Sequence, residues 1–161
     1  MNKITPCLWF DTQAEDAAQF YTSVFPDSQI LEVSRYGDAG PGPAGQAMTV
    51  SFELANSRYV ALNGGPVFTF NEAISFQVDC ASQEEVDYFW NTLSDGGEEG
   101  QCGWLKDRFG VSWQVIPSAL PTLLADPDPG RATRAMQAML GMRKLDIAEM
   151  QQAADAPQPA G

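Results

Sequence analysis

The chain has 161 residues, 44% hydrophobic and 19% charged, a balance that excludes a disordered polypeptide and suits one core or two small fused modules. Its formal charge of −12, from 9 basic and 21 acidic residues, disfavours nucleic acid, because such a surface repels phosphate backbones. Histidine is absent, which removes His-ligated metal sites, Ser-His-Asp and Cys-His machinery, and a histidine general base at neutral pH.

Ile4 to Phe10 reads as a first strand. Thr12 with Glu15 three residues on has the form of a capping box and opens a helix through Val24, with Ala17, Phe20, Tyr21 and Val24 on its apolar face. Phe25-Pro26-Asp27-Ser28 breaks the helix, and Gln29 to Arg35 is a second strand. Tyr36 to Gln46 carries four glycines and two prolines, so it is expected as a mobile loop or lid. It has neither the lysine nor the strand-loop-helix setting of a phosphate-cradling loop. Ala47 to Leu54 and Arg58 to Asn63 form a hairpin across Ala55-Asn56-Ser57, and Gly64-Gly65-Pro66 closes a βαβββ order.

The order then repeats. Ala73 to Val78 is a strand, Ser82 with Glu85 is a second capping box, and a helix to Leu93 follows with Val86, Phe89, Trp90 and Leu93 on one face. Thr12-Gln13-Ala14-Glu15 and Ser82-Gln83-Glu84-Glu85 correspond at a constant offset, and Phe89-Trp90 echoes Phe20-Tyr21. Gly96-Gly97 stops the helix, and Gly100 to Ile116 supplies the remaining strands. Within them, Trp104 to Pro117 reads as a hairpin turning at Gly110. Val111, Trp113 and Val115 point to one side, Ser112, Gln114 and Ile116 to the other, and Pro117 ends the strand.

Beyond Pro117 the pattern is helical: a short piece with Leu120, Leu123 and Leu124, a break at Asp126 to Gly130, then Arg131 to Leu140 and Asp146 to Ala154. Met136, Met139 and Leu140 form an apolar stripe expected to pack on the sheet or on a partner subunit. The expected fold class is α+β: a tandem pair of βαβββ modules, residues 1–66 and 73–117, with added helices over 118–154 and a disordered tail over 155–161. Three cysteines, Cys7, Cys80 and Cys102, show neither metal nor redox spacing. With no secretory leader legible, the expectation is a reducing cytoplasm. No apolar run approaches bilayer-spanning length, so no membrane partner is expected.

The run Trp104-Leu105-Lys106-Asp107-Arg108-Phe109-Gly110-Val111-Ser112-Trp113-Gln114 resembles the hairpin of the PhnB-like branch of the vicinal-oxygen-chelate superfamily, which includes glyoxalases, dioxygenases and bleomycin-resistance proteins. The likeness extends to Ile4 to Phe10 with Phe20-Tyr21, to Leu62 to Pro66, to Ile74 to Val78, to Met136 to Leu140 and to Lys144 to Ala148. It implies a glyoxalase-like fold and a homodimer, with strand exchange between chains as one form. In enzymes of the superfamily a divalent metal is held by His or Gln on the first strand and Glu on the last strand of each module. The matching positions fall here near Thr5 or Pro6 and near Ala73, with Ala61, Asn63 and Gln114 on the last strands. No carboxylate is among them, so no metal and no cofactor are expected.

The remaining expectation is a cavity. By strand parity Thr5, Cys7 and Trp9 share one face, as do Ser75 with Gln77 and Ser112 with Gln114. Trp9, Cys7, Asn63, Ser75, Gln77, Ser112 and Gln114 are the candidate ligand-binding residues, suited to a small uncharged or weakly polar organic molecule. Trp104 and Trp113 read as core. Cys7 has no nearby His or Lys to activate it, and Glu53, Asp79 and Asp107 are not paired for acid-base work.

Two alternatives to a binding protein stay open: a lyase, isomerase or dioxygenase acting on a small oxygenated metabolite, with or without metal, and the demethylubiquinone-type methyltransferase that PhnB-like proteins are often called. The second lacks a Rossmann-like sheet with a glycine-rich turn, since no helix follows Gly64-Gly65-Pro66.

Overall fold

The computed structural model describes residues 3–157. The chain divides into two compact units, residues 1–70 and 71–161. The first holds β1 (Cys7–Phe10), α1 (Ala14–Val24), β2 (Gln29–Arg35), β3 (Ala47–Leu54) and β4 (Ser57–Asn63). Its four strands lie in the order β1-β4-β3-β2, with β1 parallel to β4 and the other pairs antiparallel. The strand expected from Ile4 starts only at Cys7. Pro6 has no N–H to give to a ladder, and only its carbonyl takes part, accepting from Val60 N at 3.0 Å.

Helix α1 covers one face of this sheet with Ala14, Ala17, Ala18, Tyr21 and Val24, all buried. Tyr21 stacks on Phe52, and Phe52 stacks on Tyr59. The capping box expected at Thr12 does not form. Gln13 is the N-cap and gives no side-chain bond, while Asn63 Oδ1 accepts from Ala14 N at 2.8 Å and Glu15 turns away to pair with Arg35. A tertiary acceptor thus replaces the local one.

The glycine-rich loop over 36–46 is also more tightly held than expected. Tyr36 and Gln46 continue the hairpin through Tyr36 N→Gln46 O at 2.9 Å, and the Tyr36 ring lies where a Cβ on Gly42 would sit, 2.4 Å away. The β3–β4 turn has two residues, Ala55 and Asn56, both at positive φ, as a hairpin matching the strand twist requires. Ser57 is already paired with Leu54.

The second unit holds β5 (Phe76–Cys80), α2 (Gln83–Ser94), β6 (Glu98–Glu99), β7 (Trp104–Lys106), β8 (Ser112–Pro117), α3 (Ala119–Leu124), α4 (Pro129–Leu140) and α5 (Ile147–Asp155). Its sheet has the order β5-β8-β7-β6, the same plan as the first, with β5 parallel to β8. The tandem βαβββ repeat is therefore present. Strand β5 begins at Phe76 rather than Ala73, because Asn71 Oδ1 ties Ala73 N into a turn at 2.9 Å and leaves Ile74 exposed.

At α2 the sequence box does form: Ser82 Oγ accepts from Glu85 N, and Glu85 Oε2 accepts from Ala81 N at 2.7 Å. Val86, Phe89, Trp90 and Leu93 are buried on the same core as Val78, Cys80, Leu105, Trp113 and Val115. Asp107, weighed above as a candidate acid, is buried in the β7–β8 turn. Its carboxylate accepts from Phe109 N, Val111 N and Trp113 Nε1, so its role there is structural.

Helices α3 to α5 enclose a small core of Leu120, Met142, Leu145 and Met150. Helix α4 starts at Pro129, two residues before the expected Arg131, because Pro is well suited to the first turn and Asp128 caps it by accepting from Gly130 N. Of the methionine stripe, Met139 packs on the core beside the buried Ala135, whereas Met136 and Leu140 are exposed on the single chain.

The helices are fastened to the module through their connections. Cys102 N donates to Met142 O and Gly103 N to Arg143 O, both at 2.8 Å, and Gln83 bonds Leu145 O and Ile147 N. Of the tail expected over 155–161, Asp155 closes α5, and residues 158–161 lie outside the described residues. Among the described residues no helix is long and apolar enough to cross a membrane.

Candidate functional site

Each sheet has one face covered by its helix and one open face, and strand parity decides which side chains reach the open one. In the first unit Leu8, Phe10, Val50, Phe52 and Ala61 are buried on the helix side. The register Trp9↔Leu62 and Phe10↔Asn63 puts Cys7 and Trp9 on the open face and Asn63 on the helix side.

Asn63 therefore departs from the expected ligand-facing set. Its Oδ1 is taken by Ala14 N, its Nδ2 donates to Ala47 O at 2.9 Å, and the residue is buried. Trp9 is half-buried and held within its own module: Nε1 donates to Gly65 O at 2.9 Å, the ring lies against Gly64, and its edge meets Phe68. Cys7 is exposed, and partial desolvation raises its thiol pKa, the reverse of what a nucleophile needs. The Tyr36–Gln46 loop encloses a hollow of about 240 Å³ with Asp11, Thr12 and Gly64. Tyr36 Oη is already used there, donating to Asn63 O at 2.7 Å.

The second unit brings the other four candidates together. Gln77 pairs with Gln114 across β5 and β8, and Gln77 Nε2 donates to Gln114 Oε1 at 3.3 Å. Gln114 Nε2 in turn donates to Ser75 Oγ at 2.8 Å. Ser112 lies two residues back on the same face. Across β7, Trp104 stands opposite Gln114 and Lys106 opposite Ser112, and Glu98 of β6 stands opposite Lys106.

Trp104, expected in the core, is thus half-buried on the open face, whereas Trp113 is core and bonded to Asp107. These groups continue into a pocket of about 220 Å³ lined by Glu72, Glu98, Glu99, Trp104, Lys106 and Ser112. Lys106 is ion-paired with Glu72, and that hydrogen bond holds the Glu72 carboxyl below its ordinary pKa. Ser112 is 2% exposed, and its Oγ is the one buried side-chain polar atom among the described residues with no hydrogen-bond partner.

The acidic wall of this pocket was not foreseen. Trp104 and Lys106 alternate with the buried Leu105, and that two-residue period was available in the sequence. Glu72 and Glu98 reach the pocket from segments that carry no periodic signal.

The donors do not fit a divalent cation of the glyoxalase type. Among the described residues no three Cys, Asp or Glu side chains converge so as to hold a metal ion, and Gln77 and Gln114 already spend amide groups on each other and on Ser75. A nucleoside methyl donor fits no better, because neither sheet is doubly wound and Gly64-Gly65 opens no helix.

Two four-stranded mixed sheets, each built as βαβββ, define a glyoxalase-like α+β fold with C-terminal helices. The chain belongs to the PhnB-like family, whose model, described as 3-demethylubiquinone-9 3-methyltransferase, matches residues 2–116. Helices α3 to α5, included in the resemblance drawn from the sequence, lie beyond that match.

Among solved structures, the PhnB protein of Bacillus cereus, which bears the same methyltransferase designation provisionally, is 35% identical. The alignment covers 73% of this chain and 100% of that one, with a TM-score of 0.68. Protein PA1353 of Pseudomonas aeruginosa is 22% identical over 73% of this chain and 98% of its own, at a TM-score of 0.60. The fosfomycin resistance protein FosX of Listeria monocytogenes, 11% identical over 75% and 94%, shares the fold at a TM-score of 0.54. No curated protein matches the chain.

Proposed function

We propose that the chain is a small-molecule-binding protein of the PhnB-like family, with its ligand on the open face of the second sheet and no metal involved. The observation that carries this reading is the Ser75–Gln114–Gln77 relay beside Trp104. Three neutral polar side chains orient one another on the sheet face opposite α2, where the next residue of β8 on that face, Ile116, meets the α3–α5 core, and beside them stand an aromatic wall and a pocket. A structural amide gains little from such an arrangement at a half-open surface, whereas a ligand gains both donors and acceptors in fixed positions.

A second copy of the chain is the expected partner, and the exposure of Val67 and Phe68 in the first unit, and of Ile74 in the second, supports this by leaving apolar side chains uncovered in each. Three free cysteines suit a reducing compartment.

Elemental analysis and native mass spectrometry on protein purified without chelator test the reading. A metal-free protein that retains a stoichiometric organic mass, lost in Gln114→Ala with the fold intact, is the expected result. A stoichiometric metal, turnover that a metal stimulates, or binding of the methyl donor would each overturn it.

A further inference from the structure

The pocket continuous with the relay has a charge and an unmet hydrogen-bonding group that together select a ligand class. Its titratable lining is three carboxylates, Glu72, Glu98 and Glu99, against the ammonium of Lys106. Lys106 is already committed to Glu72 and also feels Glu98. Glu99 accepts from Trp90 Nε1 at 3.1 Å, and Arg143 approaches it only to 3.9 Å. An anion entering here meets a negative wall whose one cation is occupied, inside a chain of net charge −12. A cation meets Glu98, the half-buried ring of Trp104 and, on the same strand face, the hydroxyl of Ser112.

Ser112 is the independent observation. A buried hydroxyl without a partner costs about 1–3 kcal/mol relative to a satisfied one, and Ser112 lines this pocket at 2% exposure. Its neighbours on the strand explain why the fold does not satisfy it. Lys106, directly across, is drawn to Glu72, and Gln114 is drawn to Ser75. An N–H donor from a ligand would satisfy the oxygen that the protein leaves over.

We propose that the pocket binds a small organic cation bearing at least one N–H, a primary or secondary ammonium attached to an apolar body. The ammonium donates to Ser112 Oγ and the apolar body lies against Trp104, with Glu72, Glu98 and Glu99 outweighing the charge of Lys106, which stands between Glu98 and Ser112 and is drawn aside to Glu72. This rests on the open-face binding reading and adds to it the charge of the ligand.

Three probes of similar size separate the two ideas in the full chain: benzylamine, which is cationic at neutral pH, benzyl alcohol and benzoate, followed by backbone amide shifts in NMR titrations. Benzylamine is expected to bind at least about tenfold tighter than benzyl alcohol, a difference of roughly 1.4 kcal/mol, and benzoate not to bind. Ser112→Ala removes a hydroxyl that nothing in the fold uses, so it should fold normally while lowering benzylamine affinity several-fold. Glu98→Gln should do the same.

Benzyl alcohol binding at Gln114 as tightly as benzylamine would overturn the cation and leave the open-face reading standing. Tighter binding of benzoate, or a benzylamine preference unchanged in both variants, would also overturn it. Failure of all three probes to shift any residue from Ser75 to Gln77 or from Trp104 to Gln114 would overturn both.

Discussion

Cys80 shows how a residue's surroundings decide its chemistry. Its side chain is fully buried beneath α2, and burial, with the nearby charges of Glu85 and Asp79, pushes the thiol from an ordinary 9.0 up to about 12. The unfolded chain releases this proton near the ordinary value, while the folded chain keeps it until much higher pH. The stabilisation is therefore complete below pH 9.0 and is lost as pH rises towards 12. The urea midpoint should fall more between pH 8 and pH 10.5 in the parent protein than in Cys80→Ala. Equal falls in the two proteins would remove Cys80 as the cause.

Asp107 and Asn63 carry a different lesson at this scale. Both are buried polar side chains bonded to backbone groups, some local and some distant, and Asp107 also accepts from an indole. Asp107 reads from sequence as a solvated turn residue because Asp is common in turns. Only the fold shows that Trp113 folds back to meet it. Asn63 reads as a pocket residue because the position it occupies on its strand carries a ligand in related folds. The register that turns it to the helix side, and the missing local cap at Ala14 that it replaces, are properties of β4 and α1 brought together.

Among the elements, Gln83 is the clearest joint. One side chain from the first turn of α2 accepts from Ile147 N at 2.9 Å and donates to Leu145 O and Asp87 Oδ1 at 3.0 Å, so it fastens the start of α5 to the module. Lys144 adds an exposed pair with Asp87, which is worth little by itself. Gln83→Ala leaves Ile147 N and Leu145 O without these partners and should cost about 1–3 kcal/mol. The loss should appear as faster amide exchange in α3 to α5 ahead of the β5–β8 sheet. Uniform acceleration over both would mean that the helices and the module open as one piece.

Legibility followed the same division at this scale. Strand β2 and the buried face of α2 were readable, because period and breaker residues are local signals: Pro26 and Asp27 before Gln29, and Val86, Phe89, Trp90 and Leu93 at helical spacing. The starts of β1 and β5 were read too early. Apolar residues such as Ile4 and Ile74 continue the pattern, but Pro6 and the Asn71 turn deny the backbone its ladder. For Met136 and Leu140 spacing left open whether the stripe meets the sheet or a partner subunit, and within the single chain both are exposed. The helix faces the core with the small Ala135 and Ala138 and with Met139.

For the molecule as a whole, charge is the dominant long-range property. A net charge of −12 opposes compaction, and the ion pairs that offset it are exposed. Salt screens the diffuse repulsion more than it weakens pairs that contribute little, so the thermal midpoint should rise as NaCl increases from a few millimolar to about 0.15 M. A falling midpoint would show that the surface pairs outweigh the net charge. The same field bears on ligand choice, since the open face that gathers Ser75, Gln77 and Gln114 is edged by Glu72 and Glu98. The neutral amides were legible as a group from parity. The acidic edge was not, because Glu72 precedes its module's first strand and β6 has only two residues.

The bonds from Cys102 N to Met142 O and from Gly103 N to Arg143 O join a strand of the second sheet to a segment made much later. On a ribosome, β7 and β8 are complete before Met142 and Arg143 have emerged, so the entry to β7 waits with two backbone donors unmet. The turn that leads to Trp104, and with it one wall of the acidic pocket, therefore takes its final form only when the last helices arrive. The site matures only after Met142 and Arg143 have been made, and a chain stalled within α4 would hold a finished first module and an unfinished pocket.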